Sequence, residues 1–150
     1  MQCEAFVLRM RGRAPELAGP CGPEPWYIEV GEDEDPVEVV TRLSTNLLGP
    51  PLLVHSTSWR RARGGVILTF VVVIRDDQAP EHEGVPIERA ELARNSATEA
   101  PKAIAASQVI EHGLRHLAWL AKEDPVVPTV LSAEWKEFLT GFVPEPFQHI

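Results

Sequence analysis

The chain has 150 residues, enough for one domain with a core that needs no metal or disulfide staple. Its hydrophobic share of 44% and charged share of 24% are those of a globular protein and exclude a disordered chain. A formal charge of −8 excludes a nucleic-acid track, because the densest basic group, Arg60, Arg61 and Arg63, is large enough for one phosphate and no more.

Cys3–Met10 (C-E-A-F-V-L-R-M) reads as a strand. Gly12–Pro25 reads as a loop, since Gly19, Pro20, Gly22 and Pro23 oppose regular structure. Pro25–Val30 is a short strand rich in aromatic and β-branched residues. The acidic turn Glu32–Asp35 then opens a helix over Pro36–Leu48. Asp35 accepts otherwise orphan N–H groups, Pro36 wastes no donor at the first position, and Glu38 can close a capping box. Val39, Val40, Leu43, Leu47 and Leu48 form its apolar stripe, and Gly49-Pro50-Pro51 ends it.

Leu52–Trp59 is the next strand and Arg60–Gly65 the turn after it. Gly65–Arg75 is almost continuously apolar, which predicts a central strand covered on both faces. Asp76–Gly84 is a polar loop, Val85–Ile87 a short extension, and Glu88–Arg94 a short helical turn, so the 78–95 segment is a lid, a lobe or plain loop. A long helix opens at Ser96 or Thr98 and runs to about Glu123, with Ala103, Ala106, Ile110, Gly113, Leu114, Leu117 and Ala121 on its buried face. Val126–Leu131 is extended, Ser132 caps a last helix over Ala133–Leu139, and Gly141–Ile150 packs as an irregular tail. The order predicts a single α+β domain over 1–150, with a mixed or antiparallel sheet flanked by two main helices.

Cys3 and Cys21 form no C-x-x-C pair and no disulfide scaffold. The chain has no apolar signal run at its start, and no stretch approaches a bilayer span. The expectation is a reduced, cytoplasmic protein without nucleic-acid or membrane partners, and compatible with a homodimer.

Three groups of residues bear on chemistry. His112 and His116 lie four apart on the long helix and share a face. They are candidate metal ligands if a third comes from His55, His82 or His149, and otherwise an amphipathic stripe continued by Trp119. His55–Arg60 (H-S-T-S-W-R) places a histidine, three hydroxyls and a cation at a strand end. Simple alternation puts His55, Thr57 and Trp59 on one face and Ser56, Ser58 and Arg60 on the other. Trp26, Tyr27, Trp59 and Trp119 can stack a flat ligand or serve as core.

The segment around the first helix resembles the loop–helix–loop box of the Nudix family. With Gly49 as the closing glycine, the box arginine falls on Arg42 and the early glutamate on Glu34. The leading glycine's place is Ile28, three residues before Gly31. The strand before, the long hairpin after and a later helix fit the same fold. The glutamate that follows the box arginine is Leu43 here, and the next two glutamates are Asn46 and Leu47. In the family those carboxylates hold divalent cations that neutralise a diphosphate during hydrolysis. The resemblance therefore implies a Nudix-like sandwich serving as a non-catalytic binding or structural domain without the standard divalent-metal site, and with no cofactor. Its ligand would be small, nucleotide-like or otherwise phosphate-containing. The candidate cleft residues are Glu34, Glu38, Arg42, Asn46, His55 and Trp59, with Glu34, Glu38, His112 and His116 as metal candidates. The alternative is a divergent Mg²⁺-dependent hydrolase of nucleoside-diphosphate derivatives that uses the remaining acids. A third reading is an interaction domain with no Nudix ancestry.

Overall fold

The structure, a computed structural model, describes residues 1–62, 64–87 and 106–150. The expected turn at Glu88–Arg94, the helix start at Ser96 or Thr98, Ala103 and Arg63 lie outside the described residues. Among the described residues one mixed sheet of seven strands is flanked by helices on both faces, an α+β architecture. The strands are β1 (Gln2–Arg11), β2 (Ala14–Leu17), β3 (Trp26–Glu29), β4 (Leu53–Ala62), β5 (Gly65–Ile74), β6 (Val85–Pro86) and β7 (Gln148–His149). The helices are α1 (Pro36–Leu48), α2 (Ala106–Glu123), α3 (Val127–Val130) and α4 (Ala133–Leu139).

The sheet order is β6-β2-β1-β5-β4-β7, with β3 also on β1. β1 and β5 form the parallel centre, Gln2 beside Ile67 through Arg9 beside Ile74. Alternation along these two strands builds two cores. Cys3, Ala5, Val7, Phe70, Val72 and Ile74 meet Val39, Val40 and Leu48 of α1. Phe6, Leu8, Met10, Val71 and Val73 meet α2, α3 and α4. The apolar run of β5 is thus covered on both sides, as its composition requires. Gly113 lets α2 close on the sheet, since a Cβ there would stand 3.1 Å from the Val71 side chain.

α1 begins and ends as its sequence dictates. The Asp35 side chain accepts from the Val37 N–H, Pro36 opens the first turn, and Gly49 closes the helix with φ +89°. Both cysteines are free, Cys3 in the core and Cys21 on the surface. Among the described residues no helix is long and apolar enough to cross a membrane.

Four expectations are corrected. The proposed loop Gly12–Pro25 contains β2, which turns at Gly12 (φ +65°) and pairs with the end of β1. β4 does not stop at Trp59 but continues to Ala62, so the hairpin turn is tighter than Arg60–Gly65. Val126–Leu131 is not extended: Asp124 Oδ1 accepts from the Val126 and Val127 N–H groups and winds the chain into α3. The irregular tail holds β7, which pairs in parallel with β4 at Ser58 and Trp59.

A buried cation ties the edge of the sheet to the loop after β5. Arg9 Nε and Nη2 donate to Glu16 Oε1, at 3.0 and 2.8 Å. Its Nη1 donates to the carbonyls of Gln78 and Ala79, and Nη2 also to that of His82. All five guanidinium N–H groups are thereby used, which a buried arginine requires. Glu16 lies flat against Gly84, where a Cβ would come within 1.9 Å of its carboxyl carbon. This clamp fixes part of the Asp76–Gly84 loop.

Candidate functional site

The Nudix-like positions lie along α1 and the turn before it. Glu34, Glu38, Arg42 and Asn46 are all exposed. Glu34 Oε1 accepts from the Gly31 N–H at 2.9 Å, and its Oε2 stands 3.6 Å from Arg42 Nη2. The early glutamate therefore closes the turn before α1 and meets the box arginine across it. Leu43 packs toward the core beneath α1, and Leu47 faces outward. None of the four polar residues lines the cleft that contains His55.

β4 separates the other two candidates. Ser56 pairs with Phe70 and Ser58 with Thr69, so Thr57 is an extra residue, a β-bulge. The bulge shifts the phase of the strand. His55 pairs with Val71 and points to the α2 side, whereas Trp59 pairs with Leu68 and points to the α1 side. The single face expected for His55, Thr57 and Trp59 does not form. Trp59 instead stacks on His149 of β7, ring centroids 4.2 Å apart. Arg60 is turned inward to Glu4, with Nη2 to Oε2 at 2.8 Å, and Thr69 Oγ1 donates to the same carboxylate. The arginine turn thus spends its first cation on a buried glutamate, not on a phosphate. Trp26 packs against the α1-side core, while Tyr27 is half exposed.

The polar side chains that do converge sit between β4, α2 and the last segment of the chain. His112 and His116, expected on a surface stripe or in a metal set, are both buried. Residues 145–149 explain this. The Glu145 N–H donates to the Arg115 carbonyl, and His116 Nδ1 donates to the Glu145 carbonyl at 2.9 Å. The Glu145 carboxylate accepts from Arg115 Nη1 at 3.0 Å and meets His112 Nδ1 at 2.8 Å. His112 Nε2 reaches the Thr57 carbonyl in the bulge at 3.0 Å. The bulge carbonyl, released from the ladder, is thus taken up by the helix, and His112 retains no nitrogen for a metal.

His116 differs. Its Nδ1 is committed to Glu145, but its Nε2 is buried without a hydrogen-bond partner. It stands in the wall of a cleft of about 480 Å³ lined also by His55, Ser56, Trp119, Asp124 and Phe147. The His55 and His116 centroids are 5.3 Å apart, and Trp119 stacks on His116 at 5.6 Å. Burial holds the His116 imidazole below its usual pKa, helped by the neighbouring His55 and His112 and opposed by the Glu145 carbonyl. His112, with Arg115 behind it, holds the Glu145 carboxyl below the usual range. The N–H groups of Val127 and Val126 do the same for Asp124.

Glu145 and Asp124 escaped sequence reasoning. Asp124-Pro125 repeats the Asp35-Pro36 cap signature and was a usable signal. Glu145 had none, because its partners lie about thirty residues away in sequence. Among the described residues no group of three or more His, Cys, Asp or Glu side chains is placed to hold a metal ion. Compared with models of known protein families and with curated proteins, the chain matches none.

Proposed function

We propose that this chain is a non-catalytic binding or structural module, a Nudix-like domain whose first helix has no divalent-metal site. One observation carries this reading. Where a diphosphate hydrolase would present carboxylates, α1 carries Leu43, Asn46 and Leu47, and the remaining Glu34 is engaged by the Gly31 N–H and Arg42. Neutral side chains cannot offset the charge that builds up in phosphoryl transfer. The ligand class consistent with the resemblance is small and phosphate-bearing, with exposed Arg42 as the cation that meets it.

Calorimetric titration with Mg²⁺ and Mn²⁺, followed by a phosphate-release screen over nucleoside-diphosphate derivatives, tests the reading. The expected outcome is no tight metal binding at α1 and no turnover. Turnover abolished by E34Q or E38Q would establish the divergent hydrolase instead. ADP binding measured without metal tests the ligand class, and R42A should weaken it.

A further inference from the structure

The unpartnered nitrogen of His116 is the most costly polar atom in the cleft beside β4. A buried acceptor without a donor is costly, so a side chain kept in that state calls for a reason. His116 is 1% exposed, and its ring cannot simply turn around, because Nδ1 is held by the Glu145 carbonyl. His55 repeats the pattern from the opposite wall. Its Nδ1 is 2.8 Å from the Ser56 carbonyl, which fixes the proton on that nitrogen and leaves Nε2 as the lone-pair donor. A backbone carbonyl on one imidazole nitrogen is the usual device for presenting the other to a metal.

The spacing agrees. Two imidazoles bound through one nitrogen each to a tetrahedral ion, with bonds of about 2.0–2.1 Å, have ring centroids roughly 5 Å apart. The observed separation is 5.3 Å. Asp124 lies in the same cleft and adds negative charge near His55. With no third protein ligand among the described residues, the other coordination positions would go to water or to a bound molecule. We propose that His55 and His116 form a two-imidazole half-site for a first-row transition ion of the zinc, nickel or copper type, open on its cleft side. Imidazole pairs favour these ions over magnesium or calcium, which take oxygen ligands. This site is separate from α1, and its fate does not depend on the reading given above.

The test is titration of the full chain with Zn²⁺, Ni²⁺ and Cu²⁺ by calorimetry, beside Trp fluorescence. Saturable binding of one ion is expected, with quenching by Ni²⁺ and Cu²⁺ that disappears in W119F. H55A and H116Q should each weaken binding at least about tenfold, while the H82A/H149A double variant should bind as the parent does. If H116Q does not fold, H55A decides alone, because His55 is only half buried and, among the described residues, its ring is held by its neighbour's carbonyl alone. No saturable binding up to millimolar ion, or binding that survives H55A, overturns the proposal.

Discussion

Arg9 and Glu16 form a buried pair whose removal should cost far more than its surface counterparts. Breaking such a pair on one side leaves an uncompensated charge and costs about 3–5 kcal/mol. R9M is therefore expected to lower the free energy of urea unfolding by that amount, and by more than R42M, whose exposed pairing with Glu34 should be worth less than about 1 kcal/mol. Gly84→Ala reaches the same pair from the other side. Its methyl group would occupy the place of the Glu16 carboxyl, so the same urea titration should show a loss of about 1–3 kcal/mol. None of this was legible in the sequence. Glu16 sits between Pro15 and Leu17 in a segment crowded with glycine and proline, which reads as loop. Only the turn at Gly12 brings it beside Arg9.

At the scale of elements, legibility followed length and local chemistry. The bounds of α1 were readable because its cap, its proline and its closing glycine all lie within the segment, although Leu47 of the expected stripe faces outward. D35A should remove about 1 kcal/mol of stability by thermal or urea unfolding. β5 was readable from its apolar run alone. β2, α3 and β7 were not, since two to four residues have no period and owe their conformation to a remote partner. The bulge in β4 was equally hidden: Ser56, Thr57 and Ser58 are alike in sequence, and only pairing with β5 shows which one is extra. That one residue decides that His55 joins α2 and Trp59 does not. The last segment is held by polar contacts centred on Glu145. E145A should therefore strip hydrogen-exchange protection from the amides of Glu145 and Ile150, while those of β1 and β5 keep theirs.

For the molecule as a whole, acid is the expected weakness. His116 has a lowered pKa in the fold, so the unfolded chain takes up its proton first as pH falls. Its contribution is complete above the ordinary histidine value of 6.5 and is lost as pH drops from there through the folded value. Glu145 is also lowered, from 4.5, so its contribution is lost in a second, more acidic window. Urea unfolding with chelator present, followed from pH 8 downward, should show stability falling in two stages. H116F should flatten the first and E145Q the second.

The parallel pairing of β1 with β5 also sets the order in which the protein can assemble. During synthesis β1 is finished long before the ribosome has made β5, and α1, β3 and β4 all emerge between them. The helix and the β4–β5 hairpin can form from neighbouring residues, but the middle of the sheet must wait for two distant stretches to meet. Until then Cys3–Met10 is an apolar segment with one edge unpaired, β2 and β3 sharing the other, and the nascent chain is most prone to aggregate in that state.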